Sequence, residues 1–138
     1  IKKQLSSLNV YVGFDPYRQS IKAELAYCQQ KIQAGADGFF SQPFYDTRLA
    51  EIYLEQLKQS DVFLGISPII TKQSFNYWQT RNHVVFPPEF EATFDYSVQV
   101  ANQLISLSER YHQHTYHMPI KVDALAYLSA LQVKTENS

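Results

Sequence analysis

Asp37-Gly-Phe-Phe-Ser-Gln-Pro-Phe-Tyr-Asp46 decides the fold. Phe39, Phe40 and Ser41 predict a short strand buried on both faces. Pro43 has no N–H for a ladder and stops that strand. Asp46 and Thr47 supply the side-chain oxygens that cap a following helix. One polar amide, Gln42, and two aromatics, Phe44 and Tyr45, are thereby held at the carboxyl end of a strand. In parallel α/β folds ligands bind at that end.

Upstream, Ile1 to Leu8 reads as the tail of a helix, and Asn9 to Phe14 as a strand of β-branched and aromatic residues ended by Asp15-Pro16. Ser20 is placed to cap a helix in which Ile21, Leu25, Cys28 and Ile32 form one apolar stripe. Gly35 suits the left-handed position that closes it. Downstream, a helix runs from about Thr47 to Lys58 with Leu49, Ile52, Tyr53 and Leu57 on one face. A third strand, Asp61 to Ser67, stops at Pro68. Thr71 caps a helix carrying Phe75 and Trp78. Asn82 to Phe86 is short and is broken by Pro87-Pro88. A longer helix spans roughly Ala92 to Tyr111, His114 to Met118 is a fourth strand, and Val122 to Leu131 is the last helix.

Strand, proline-marked turn and helix thus recur four times, which predicts right-handed βαβ units and a parallel sheet. No Gly-x-Gly-x-x-Gly or Walker-type loop follows any strand, which counts against a nucleotide-binding doubly wound fold. A (β/α)8 TIM-type barrel fits better, but it takes about 250 residues. Four units are half of one.

The 138 residues suffice for one domain with a core, and the net charge of -1 favours neither nucleic acid nor a membrane surface as partner. The single cysteine, Cys28, excludes an internal disulfide, and no Cys/His cluster has zinc-ligand spacing. No apolar run approaches the ~20 residues of a membrane span. The expectation is a cytoplasmic protein. The chain begins at Ile1 rather than Met, which reads as a piece of something longer.

Ala34-Gly-Ala-Asp-Gly-Phe-Phe-Ser-Gln-Pro-Phe-Tyr-Asp46 resembles the Ala-Gly-Ala-Asp turn, apolar strand and Gln-aromatic-Asp run of the methylenetetrahydrofolate reductase family. Gly65-Ile-Ser-Pro-Ile-Ile70 is similar to that family's Pro-Gly-Ile-x-Pro-Val. Tyr77 to Pro87 and Tyr116 to Val122 resemble a divergent branch of it. The resemblance covers nearly the whole chain, but only the second half of the family's barrel, strands five to eight. Residues 1–133 would be that half and 134–138 a polar tail.

The resemblance implies a flavin-dependent enzyme of one-carbon metabolism and methionine biosynthesis. It would reduce 5,10-methylenetetrahydrofolate to 5-methyltetrahydrofolate by hydride from reduced FAD. It implies a folate substrate, NAD(P)H as a candidate donor, a homo-oligomer and the missing N-terminal half as partners. Gln42 matches a glutamine on the pterin, a role an amide suits because it both donates and accepts. Ser74 falls where the family often has a second glutamine. Trp78 falls where an aromatic packs on folate or nicotinamide, and Lys121 where an arginine lies near the substrate. For FAD, Phe14 matches an aromatic at the end of strand five. Glu24, Tyr27 and Lys31 match cofactor contacts on the next helix, and their spacing puts them on one helix face away from the apolar stripe. Asp15-Pro-Tyr-Arg18 is shorter than the family's loop and lacks its histidine. The family's general-acid glutamate has no counterpart here, so the chain alone is expected to be inactive.

Other readings stay open. The half-barrel also reads as a non-catalytic folate- or flavin-binding or interaction module. Gln42 is also an ordinary strand-end amide, Trp78 a core residue, and the Glu24 face a solvated one. His83, His112, His114 and His117 lack a carboxylate partner at a defined spacing, while Asp15 and Asp46 form a candidate acid/base pair. Asp46 reads more simply as a helix cap.

Overall fold

The computed structural model describes residues 8–131. The expected opening helix, the boundary at residue 133 and the polar tail lie outside the described residues, apart from Leu8. The elements run β1 (Tyr11–Phe14), α1 (Ile21–Gln33), β2 (Gly38–Pro43), α2 (Thr47–Gln56), β3 (Asp61–Ile66), α3 (Lys72–Arg81), α4 (Phe94–Arg110), β4 (His114–His117) and α5 (Ala124–Ala130). All four strands are parallel and lie in the order β1-β2-β3-β4. Parallel βα units in sequence order are the connectivity of a (β/α)8 barrel.

Local chemistry sets the helix starts. Ser20 Oγ accepts from the Ala23 N–H at 3.1 Å, Asp46 Oδ1 from Arg48 at 2.9 Å and Thr71 Oγ1 from Ser74 at 3.0 Å. Each satisfies an N–H that the first turn leaves without a helical partner. α1 ends in a Schellman motif. Gly35 takes φ 111°, its N–H bonds Ile32 O, and the Ala36 N–H bonds Lys31 O.

One face of the sheet is covered by helices. Phe14, Phe39, Val62, Leu64 and Ile66 are buried there against Cys28 of α1, Tyr53 and Leu54 of α2, Leu104 and Leu107 of α4, and Tyr127 of α5. The other face is open and aromatic. Phe40, Phe63 and His114 are register partners and stack in a row, with 4.6 Å between successive ring centroids. Tyr11 meets both phenylalanines edge-on. One expectation is corrected here. β2 is not buried on both faces, because Phe40 remains 40% exposed. Leu64, by contrast, is turned to the helices by strand alternation and is fully buried.

A second, smaller core sits beyond the strand ends. Tyr45, Ile69 and Val84 are buried there, flanked by Tyr17, Phe75, Trp78, Phe86 and Phe90. It is built from the loops after β1, β2 and β3, α3, and the stretch before α4. The prolines that break that stretch let Phe86 and Phe90 fold back with centroids 4.5 Å apart.

Gly38 and Gly65 are the two places where the sheet has no room for a Cβ, and Gly65 lies at the strand ends. A Cβ there would lie 2.8 Å from Ser41 O and 2.9 Å from the Tyr116 hydroxyl, whereas one on Gly13 would meet only Phe40 O at 3.7 Å. Gly65→Ala in the intact protein is therefore expected to cost about 1–3 kcal/mol in chemical denaturation. Gly13→Ala is expected to cost clearly less. Equal losses would show that the crowding at Gly65 is relieved freely.

Candidate functional site

The carboxyl end of β2 is shaped by a bulge. Phe40 pairs with Phe63 and Pro43 with Gly65, so β2 carries one extra residue across that interval. Ser41 fills the broken ladder: its hydroxyl accepts the Gly65 N–H at 2.9 Å and donates to Gln42 O at 2.8 Å. Tyr116 of β4 reaches over the bare Cα of Gly65 and donates its hydroxyl to Ser41 O. Bulges beside functional sites re-aim side chains. Here the bulge leaves Gln42 exposed at the rim.

A cavity of about 260 Å³ opens at the same end of the sheet, after β3 and β4. Ser67 and Pro68 form one wall, Gln73, Ser74, Tyr77 and Trp78 of α3 a second, and Ile120 and Lys121 the third. Ser67 Oγ donates to Met118 O at 2.9 Å and the Met118 N–H bonds Ile66 O at 2.8 Å, so the β4–α5 loop is tied to the end of β3. Lys121 holds φ 58°, a left-handed conformation unfavourable for a side-chain-bearing residue. Trp78 is half-buried, with Tyr45 6.3 Å and Tyr77 5.9 Å away between ring centroids. Burial raises the pKa of Tyr45 strongly, so its hydroxyl stays protonated behind this wall. A larger groove, about 720 Å³, lies between α2 and α4. Its polar lining is away from the strand ends, so the smaller cavity is the better candidate in a parallel sheet.

The structure thus brings Ser74, Trp78 and Lys121 together in one cavity, while Gln42 stands at the same end of the sheet but outside the lining. Sequence reasoning missed Gln73 and Tyr77, which share the α3 wall with Ser74 and Trp78. The signal for Gln73 was at hand, since it is an amide one position from the serine that stands where a glutamine was sought.

The four positions matched to FAD are placed differently. Phe14 is buried among Phe39, Phe44 and Tyr53, on the helix side of the sheet. Glu24 is not on a solvated face. It has no exposed surface and accepts from Arg18 Nε at 2.8 Å, Arg18 Nη2 at 2.7 Å, Gln19 Nε2 at 2.7 Å and the Asp15 N–H at 3.0 Å. Burial alone would raise its pKa; the guanidinium, backbone and amide donors together outweigh burial and hold it below the usual carboxylate range. Lys31 Nζ donates to Gly13 O at 2.6 Å and lies 4.2 Å from the centroid of Tyr27, whose ring also faces Arg18 at 5.0 Å. So placed, Glu24 and Phe14 do not fit a flavin cradle, because the Glu24 oxygens are engaged within the chain and Phe14 is buried on the helix side of the sheet.

The alternative catalytic groups are also committed locally. Asp15 Oδ1 accepts the Tyr17 N–H at 2.9 Å, and Asp46 caps α2. His117 Nδ1 lies 3.1 Å from the Tyr127 hydroxyl, burial lowers its pKa, and His114 is stacked on Phe63. Among the described residues no group of three or more His, Cys, Asp or Glu is placed to hold a metal ion. No helix among them is long and apolar enough to cross a membrane.

The methylenetetrahydrofolate reductase family matches this chain over residues 5–108, well over half of it. That span includes Gln42, Ser74 and Trp78 and ends before Lys121. Among curated proteins none matches. A solved structure described as an uncharacterized protein from Clostridium thermocellum that binds two copies of 5-methyl-5,6,7,8-tetrahydrofolic acid is similar, with a TM-score of 0.60 and 14% identity over 89% of this chain. The match covers 52% of that chain, so this one spans about half its length. At that identity the likeness shows the fold.

The buried carboxylate makes a pH prediction. Its folded pKa is depressed, so its contribution is present above the unfolded value and is lost as pH falls through the folded one. Glu24→Gln should cost about 1–3 kcal/mol at neutral pH. The deficit relative to wild type should shrink as pH falls below about 4. Denaturation at both pH values measures it, and a deficit independent of pH would contradict the assignment.

Proposed function

The chain belongs to the methylenetetrahydrofolate reductase family, and we propose that it carries the reduced-folate site of a barrel of that family. One observation carries the proposal: Ser74, Trp78 and Lys121, singled out by family resemblance, line a single cavity at the carboxyl end of the sheet. Its volume of about 260 Å³ is below that of a drug-sized site. It suits one ring system rather than a whole folate, with the remainder of the ligand lying along the rim.

In this reading Trp78 offers a flat face to the pterin, or to the benzoyl ring that follows it. Gln42 and Gln73 offer amides that donate and accept, which suits the alternating donors and acceptors of a pterin edge. Lys121 sets an ammonium at the cavity mouth, where a glutamyl carboxylate would meet it. Tyr77, 55% exposed, extends the aromatic wall toward solvent. The open aromatic face of the sheet supports a closed barrel in which these four units are strands five to eight and four further units cover Phe40 and Phe63.

A second reading is the full reductase, converting 5,10-methylenetetrahydrofolate to 5-methyltetrahydrofolate in the cytoplasm with FAD as hydride carrier. The family match favours it. NAD(P)H as donor, a homo-oligomeric assembly and a role in methionine biosynthesis belong to that reading. That reading needs a flavin held by residues other than Phe14 and Glu24; this chain's own part in it would be to bind and orient the folate. The general acid would have to come from outside these 138 residues.

Trp78, the single tryptophan of the chain, is a built-in reporter. Titrating 5-methyltetrahydrofolate into the intact protein should quench its emission saturably, and Trp78→Phe should remove that signal. Gln42→Ala and Lys121→Gly should each weaken binding by about 1–3 kcal/mol, roughly five- to 150-fold. Glycine is chosen at 121 because it keeps the left-handed backbone. Unchanged affinity in both variants would refute the site.

A further inference from the structure

Residues 15–19, between β1 and α1, lie across the β1–β2 end of the rim. We propose that this loop is a fixed plug anchored on Glu24, and that this end of the rim is closed to FAD. The inference concerns a different part of the rim from the Trp78 cavity and does not rest on the folate reading.

The anchor is saturated. A carboxylate has about four lone-pair sites, and Glu24 receives four donors, three of them from Arg18 and Gln19 side chains and one from the Asp15 backbone. Nothing remains on it for a ribityl hydroxyl. The far side of the loop is fastened as well. The Tyr17 hydroxyl donates to Pro43 O at the end of β2, and its ring joins the second aromatic core. The helix side is held by Lys31, which donates to Gly13 O and, with Arg18, faces the Tyr27 ring.

Displacement by the cofactor is chemically unfavourable. FAD carries a diphosphate, and an anion cannot take the place of the guanidinium that neutralises a fully buried carboxylate. Moving the loop would strand Glu24 without its cation and pull Tyr17 out of its packing. Glu24, Tyr27 and Lys31, three of the four positions that resemblance gives to the cofactor, therefore hold the chain's own loop in place.

The test uses the intact protein, FAD and trypsin. The wild type is dialysed against FAD and its retained flavin read by visible absorbance, alongside Tyr27→Ala and Lys31→Met. No retained flavin supports the plug. Retained flavin whose affinity is the same in both variants also supports it, since the cofactor is then held elsewhere. Flavin that binds wild type and is weakened about tenfold or more by either variant overturns it. Limited trypsin digestion reads the anchor without flavin. Cleavage after Arg18 should be about tenfold faster in Glu24→Gln, and in Gln19→Ala if the first variant does not fold, because digestion follows local opening. Cleavage no faster than in wild type overturns the anchor. A failed folate titration would leave both results standing.

Discussion

Glu24 is a carboxylate with no exposed surface, and the β1 end of the rim is built around neutralising it. Burying a charge is tolerated only when its partners are in place. That requirement fixes Arg18 and Gln19 over α1, draws the Asp15 N–H inward, and leaves Tyr17 aimed across to Pro43. The loop is short, so Glu24 at one side and the Tyr17–Pro43 bond at the other set its path. Half of the rim is thereby closed by the chain itself.

The other half stays open for a different reason. β2 and β3 are joined through a bulge, and three residues far apart in sequence make it stable. Ser41 replaces a ladder acceptor, Gly65 gives up its side chain, and Tyr116 crosses the space that this leaves. The bulge exposes Gln42, while the Ser67–Met118 bond pins the β4–α5 loop that presents Lys121. α3, capped by Thr71, then sets Trp78 and Tyr77 opposite that loop. Aromatic surface and mixed polar groups meet there without a buried charge competing for them.

Most of the fold was legible because its signals are local. Ser20, Asp46 and Thr71 cap the helices they were expected to cap, and Gly35 closes α1, since each needs only neighbours within a few residues. The four strands and their order followed from the alternation of apolar runs and prolines. What escaped was non-local. Helical spacing put Glu24 off the apolar stripe, and nothing in that spacing shows that a preceding loop folds over it. Phe40 and Leu64 look alike as strand residues, but alternation sends one to the open face and the other to the helices. Of the residues that line the cavity, Ser74, Trp78 and Lys121 had been singled out by resemblance, whereas Gln73 and Tyr77 needed the cavity to be seen. The tie between Tyr116 and Ser41 spans 75 positions and leaves no pattern in the sequence.

In this reading the rim is divided, with a reduced-folate cavity at Trp78 and a closed plug at Glu24. A crystal structure of the intact protein grown with both 5-methyltetrahydrofolate and FAD tests it most directly. A divided rim would show a folate ring against Trp78, and an undisplaced loop with Arg18 still paired to Glu24. A flavin lying against Tyr27 and Lys31, with residues 15–19 moved aside, would contradict it.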